Sequence, residues 1–356
     1  MSDKATILIP DISGFTEFVS HTELDHASHI TNELLSLIID SNSVGLTLSE
    51  IEGDAVLFYK KGEAISSTDL VKQCLEMFEA FHARLRLIER DTICRCGACQ
   101  SASDLSLKFV VHRGAIKEFE IRGFTKASGV DMIIAHRLLK NDIDSNEYIL
   151  ASSGYLADAG EPPSTALKWL PYKGSYPGIG DVECEFARLE ALRKSIPDPP
   201  PPPPPPPGIY DKTIEIEIDA RYDFVYGAMI DLDLRSEWTV GYRGTEADPE
   251  TARIGHHHVC LLDDINITFE IVAFETTDDS ISYTEKGMVE GMPVGDLSTY
   301  RFARLDDDRT RLTLEHSWLE GFEPPAEIIP EFHESLQESL RLFKIMCEKR
   351  RPYPGS

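Results

Sequence analysis

Nine consecutive prolines, Pro199 to Pro207, constrain this chain more than any other feature. A run without amide donors and with φ locked can enter neither a helix nor the middle of a sheet. It forms a stiff polyproline spacer, about 28 Å long at about 3.1 Å per residue. The 356 residues therefore divide into two folding segments, each long enough for its own core. The boundaries read from the sequence are 1–196, a linker at 197–208, and 209–350. The tract also suits an aromatic-groove partner, but a spacer accounts for it equally well.

Charge narrows the partners. The chain carries a formal net charge of −26, about −16 of it after Gly208. Neither segment hides a basic patch, so nucleic acid and anionic membrane surfaces are expected to be repelled. No stretch approaches 18 apolar residues, and the apolar run at the start is too short for a signal peptide. Seven cysteines, three of them inside 94–99, do not form a secreted disulfide pattern. The expected location is cytoplasmic. Walker-type phosphate loops, G-x-S-x-G elbows, H-E-x-x-H helices and Rossmann glycine fingerprints are all missing.

The first segment reads as β-α-β-β-α-β-β-α-β. An apolar strand at 5–9 runs into Asp11-Ile12-Ser13-Gly14-Phe15-Thr16, with Thr16 placed to cap the following helix. Two strand-like runs flank Gly53-Asp54, a hairpin signal. A helix over 70–90, a strand pair within 105–121, a helix over 130–140 and a strand at 148–151 follow. This order suits an α+β fold, an antiparallel sheet with helices on one face.

Four motifs in this segment resemble those of class III nucleotidyl cyclases. They are Ile9-Pro10-Asp11-Ile12-Ser13-Gly14-Phe15-Thr16, Gly53-Asp54-Ala55-Val56, Val111-His112-Arg113-Gly114, and Gly129 through Ala135-His136-Arg137-Leu138. The resemblance implies a ferredoxin-like cyclase-type sheet, with Asp11 and Asp54 holding Mg²⁺ or Mn²⁺. Ile12, Gly14, Phe15 and Thr16 would line the triphosphate, and Arg137 would act in trans across a homodimer. Oxygen ligands suit such ions, which acidify a 3′-hydroxyl and neutralise phosphate charge. Two unrelated turn aspartates are the alternative.

Departures from the family pattern matter as much. The Asn expected four residues before the Arg is Ile133. Loss of one such donor costs about 3 kcal/mol, or 10²–10³ in rate. At the base-reading positions stand Glu50 and Lys126, a pattern suited to guanine, or else a direct ion pair with no base between. The implied function is binding of GTP or ATP with slow cyclisation, or binding alone in an inactive regulatory protein.

Cys94-Arg95-Cys96-Gly97-Ala98-Cys99 places three thiols in one loop, suited to structural Zn²⁺ or to a reduced or redox pair. His82 and His112 are candidates for a fourth ligand.

After Gly208 the pattern changes. An alternating strand at 213–219, short helices over 222–238, five more strands and a long amphipathic helix over 329–347 resemble the START-like, polyketide cyclase/dehydrase-type helix-grip superfamily. That resemblance implies an apolar cavity between sheet and terminal helix, a small apolar ligand, and either a carrier or a lyase role. His256-His257-His258 reads as an exposed strand start, and the tryptophans, Tyr283 and Tyr300 as core.

Overall fold

The computed structural model describes residues 3–20, 24–163, 167–247 and 252–350. Two compact units are present: 1–90 with 96–199, and 200–356 with the short segment 91–95.

In the first unit the chain runs β1 (Asp3–Ser13), α1 (Phe15–Ser20), α2 (Leu24–Asp40), β2 (Thr47–Glu52), β3 (Ala55–Lys61), α3 (Ser67–Asp91) and α4 (Gly97–Ser101). It continues through β4 (Ser106–Ile121), β5 (Phe124–Ser128), α5 (Val130–Leu138), β6 (Tyr148–Ser152), α6 (Ser153–Ala159), β7 (Trp169–Tyr176), β8 (Gly180–Arg188) and α7 (Glu190–Arg193). The sheet order is β2-β3-β1-β4-β6-β8-β7. Its first four strands pair antiparallel, which is the ferredoxin-like βαββαβ arrangement. The fold is α+β, as expected, but the sheet is mixed, because β6 joins β4 in parallel.

Three local expectations need correction. Helices cover both faces of the sheet, not one. Val110 and Leu150 pack with Met132, Ala135 and Leu138 of α5, whereas Val111, Ile149 and Ala151 face Leu70, Val71 and Cys74 of α3. The reason lies in β1, where successive residues from Ala5 to Ile12 are all buried, so neither face can meet water. Residues 106–121 form one long strand rather than a pair, and its partner β5 follows a tight turn at Arg122-Gly123. Thr16 lies inside α1 and does not cap it. Gly14, at φ +87°, turns the chain out of β1, and its carbonyl accepts from the Phe18 amide at 3.0 Å.

The second unit contains β9 (Gly208–Ile218), α8 (Tyr222–Ile230), β10 (Tyr242–Ala247), β11 (His257–Leu262), β12 (Asn266–Thr276), β13 (Ser280–Val289), β14 (Gly295–Asp306), β15 (Arg309–Leu319) and α9 (Ile329–Arg350). Its seven-stranded antiparallel sheet has the order β10-β11-β12-β13-β14-β15-β9, so the first strand closes against the last. Residues 91–95 dock onto this unit: the amides of Ile93 and Cys94 both donate to the Ala252 carbonyl. Residues 199–207 carry neither helix nor strand, and the Pro207 carbonyl accepts from the Glu320 amide.

The interior of this unit differs from the purely apolar cavity expected. Tyr226, Tyr283, Tyr300, Phe302, Trp238 and Phe343 fill the region between sheet and helices. Among them lies a buried ion pair, Arg235 Nη2 to Glu285 Oε1 at 2.6 Å. The histidine run is not simply an exposed strand start. His258 is buried and stacks on Phe269 at 5.3 Å, and Cys260 points inward beside it.

Candidate functional site

The candidate site lies where β1 ends and β3 begins. Asp11 sits opposite Ala55 on β3 and opposite Lys108 on β4. The Ile12 amide donates to the Asp54 carbonyl at 3.0 Å, tying the two acidic residues into one corner. Alternation along β1 puts Asp11 and Ser13 on the face that buries Ala5, Ile7 and Ile9 deeper in the unit. The apolar row thus ends in a carboxylate and a hydroxyl.

Electrostatics mark this corner. Burial, and then the Asp11 carboxylate, raise the pKa of Asp54. Lys108 Nζ lies 2.9 Å from Asp11 Oδ2. Burial works against the Lys108 charge, but the acidic neighbours outweigh it and hold its pKa above the ordinary value. Among the described residues, Ser13 Oγ is buried with no hydrogen-bond partner. A buried hydroxyl of that kind, two positions along β1 from Asp11, is one that a ligand or water satisfies.

Two carboxylates, hard oxygen donors at a strand end and in the adjoining hairpin turn, fit Mg²⁺ or Mn²⁺. Lys108 already supplies one positive charge to Asp11, so any ion there shares that carboxylate with an ammonium group. Sequence reading missed Lys108, since nothing in its local spacing marks it; only the β1–β4 register brings it to Asp11.

The other site residues fall as follows. Ile12 is buried and its amide is already engaged, so it has no donor left for phosphate. Gly14 turns the chain into α1, and Phe15 and Thr16 are the first two residues of that six-residue helix. Glu50 and Lys126 meet directly, Oε2 to Nζ 2.5 Å, and the bond to Glu50 raises the Lys126 pKa. Arg137 is exposed on α5, one helical face with Val130 and Ile133. Among the described residues of this unit, the exposed large apolar side chains all come from β2, the far end of β4, and α5: Leu48, Ile51, Phe119, Ile121, Val130 and Ile133.

The His112-Arg113-Gly114 stretch has a structural account. His112 Nδ1 lies 2.8 Å from Ser152 Oγ, and Nε2 lies 3.1 Å from Asp131 Oδ1. Burial holds the His112 pKa below its ordinary value, with Asp131 opposing. The other Asp131 oxygen accepts from the Ala115 amide at 2.7 Å. A Cβ on Gly114 would sit 1.9 Å from the Asp131 carboxyl carbon, so only glycine leaves room for that carboxylate.

Neither His82 nor His112 reaches the cysteine loop. His82 is buried against Phe78 and Phe81 and lies 3.4 Å from Glu147, and His112 is engaged as above. His26 of α2, which the sequence did not single out, meets the loop instead: its Nδ1 is 3.2 Å from Cys96 Sγ and 3.8 Å from Cys99 Sγ.

Comparison with known proteins places the chain among relatives. Residues 31–148 match a family described as a protein of unknown function, DUF2652. The uncharacterized protein Rv2561/Rv2562 of Mycobacterium tuberculosis is 30% identical over 168 residues, 47% of this chain and 77% of that one. The chain belongs to the family of that mycobacterial protein. Among solved structures, the adenylyl cyclase CyaB from P. aeruginosa is similar over 52% of this chain and 94% of its own, at 14% identity and TM-score 0.37. The guanylyl cyclase domain of the RhoGC fusion protein from Blastocladiella emersonii shows the same coverages at 12% identity and TM-score 0.37. Likeness at this level carries no weight about activity. Among the described residues, no helix is long and apolar enough to cross a membrane.

Proposed function

We propose that the first unit binds a nucleoside triphosphate, GTP or ATP, through Mg²⁺ or Mn²⁺ at Asp11 and Asp54, and that it cyclises the nucleotide slowly or not at all. One observation carries this reading: Asp11 and the Ser13 hydroxyl, partnerless among the described residues, end an otherwise apolar face of β1, and the Ile12 amide between them ties in Asp54. When bound, the ion would neutralise triphosphate charge and acidify the attacking hydroxyl. Asp11 and Asp54 would hold it, with Lys108 competing for the Asp11 carboxylate. Gly14 and the first two residues of α1, Phe15 and Thr16, would lie along the phosphates.

Two features favour binding over turnover. Ile133 offers a hydrocarbon where an amide donor is needed, a loss of about 3 kcal/mol in transition-state stabilisation. Glu50 and Lys126 are satisfied by each other and must part before either reads a base, so this pair selects neither GTP nor ATP while it stays closed. In the resembled architecture Arg137 serves the site of a second copy. The exposed apolar residues around it support a homodimer through this surface.

For the second unit, the strand order with β9 closing on β15 and α9 over the sheet supports the helix-grip reading. Tyr283 Oη, Glu285 Oε2, Arg235 Nε and Trp238 Nε1 are buried without partners among the described residues. A small ligand with a polar end suits that interior better than a purely apolar one.

The decisive test is equilibrium binding of GTP and of ATP with Mn²⁺, with cyclic products sought by mass and light scattering giving the oligomeric state. Binding that needs Mn²⁺ and vanishes in Asp54→Ala supports the proposal. Binding that is indifferent to Mn²⁺ and to Asp54→Ala, or no binding to either nucleotide, overturns it.

A further inference from the structure

We infer that the loop after α3 is a zinc site, with Cys96 and Cys99 as thiolate ligands and His26 as the third. The inference is independent of the nucleotide reading and concerns a different corner of the molecule.

The donors have the identity and spacing that zinc requires. For tetrahedral Zn²⁺ with Zn–S about 2.3 Å and Zn–N about 2.05 Å, a sulfur and a nitrogen on one ion stand about 3.6 Å apart. The two separations from His26 Nδ1 to Cys96 Sγ and Cys99 Sγ, 3.2 and 3.8 Å, bracket that value. The ligand atoms of His26, Cys96 and Cys99 lie within 4.8 Å of one another.

Local structure prepares the cluster. Cys96 precedes α4 as its N-cap, and its Sγ accepts from the Cys99 amide at 3.4 Å. Amide donation to a sulfur favours the thiolate, the form that binds metal. Cys99 is buried and Cys96 half-buried, so the cluster is largely shielded from solvent. Two thiolates and one imidazole supply three of the four ligands of a tetrahedral ion. Its effect would be to fasten the loop to the first turn of α2, where His26 lies.

The test begins with the unmodified full chain, produced in zinc-supplemented medium and purified without chelator. Elemental analysis should find one zinc per chain. Cobalt exchanged for zinc should give the visible absorption of tetrahedral Co²⁺ together with thiolate-to-cobalt charge transfer. Cys96→Ser or Cys99→Ser should remove the metal. His26→Gln should weaken retention against a competing chelator by no less than the roughly 10–100-fold of an outer-shell change. His136→Gln, at the separate Glu50-Glu52-His136 cluster, should leave zinc content unchanged. Three results would each overturn the inference: metal-free wild-type protein that also fails to take up Zn²⁺ or Co²⁺, zinc that is lost in His136→Gln but kept in Cys96→Ser, or a Cys96–Cys99 disulfide in anaerobically prepared protein.

Discussion

Replacing Gly114 with alanine tests whether the His-x-Gly stretch is architecture or catalytic apparatus. Gly114 lies in ordinary strand backbone, so the requirement there is for space and not for an unusual φ. The new methyl group would land 1.9 Å from the Asp131 carboxyl carbon and force that carboxylate away. Asp131 would then lose its bonds to the Ala115 amide at 2.7 Å and to His112 Nε2 at 3.1 Å. Bonds to a charged acceptor contribute about 1.5–3 kcal/mol each. The Asp131 side chain is 26% exposed, so water recovers part of that loss. Adding the overpacking cost of about 1–3 kcal/mol, the net destabilisation should be about 3–4 kcal/mol. For a unit of this size that lowers Tm by about 10 °C. Urea denaturation of Gly114→Ala, Asp131→Ala and the double variant forms the cycle. With the carboxylate gone the methyl group has room, so the double variant should fall within about 1 kcal/mol of Asp131→Ala alone. A Gly114→Ala cost below about 0.5 kcal/mol, or the same cost with and without Asp131, would refute the argument.

Three further outcomes are expected. Lys108→Met should strengthen Mn²⁺ binding on the order of tenfold or more, because a cation about 4 Å from the site opposes it by about 1–4 kcal/mol; unchanged or weaker affinity by titration calorimetry would remove Lys108 from the site. Ile133→Asn should cost less than about 0.5 kcal/mol, since Ile133 is 54% exposed, and should raise cyclic-nucleotide formation; a stable variant with no gain would show that more than this amide is missing. His82 provides a pH signature. Burial, then Arg193 and Arg86, push its pKa down to about 3, and Glu147 does not reverse this because Arg193 holds the same carboxylate oxygen at 2.8 Å. The unfolded chain takes up a proton near pH 6.5 that the native state refuses. The stability linked to His82 is therefore complete above that pH and is lost toward pH 3, by up to about 1.4 kcal/mol per unit. Urea midpoints between pH 7 and 5 should fall less steeply in His82→Gln; identical slopes would contradict the assignment.

Periodicity and turn chemistry are local properties, and what they encode was legible without coordinates. The Gly53-Asp54 hairpin, the alternation along β9 and the spacing of Leu336, Leu340 and Phe343 along α9 all follow from side-chain order over a few residues. The apolar residues on successive positions of β1 also implied two covered faces, although the reading of helices on one face passed over that signal.

What depends on register and long-range approach was decided only by tertiary structure. Lys108 reaches Asp11 because β4 pairs with β1 at one register; a slip of one residue would turn it to the other face. His26 lies about 70 positions before the cysteines it meets, and no local spacing favours it over His82 or His112. Asp131 reads as an ordinary helix-start carboxylate until Gly114 is seen beneath it. The composition of this chain determined that it would form two acidic α+β units, because burial patterns are written residue by residue. Which charges and sulfurs stand face to face was set by packing, because through-space distances of about 3 Å are not a function of distance along the chain.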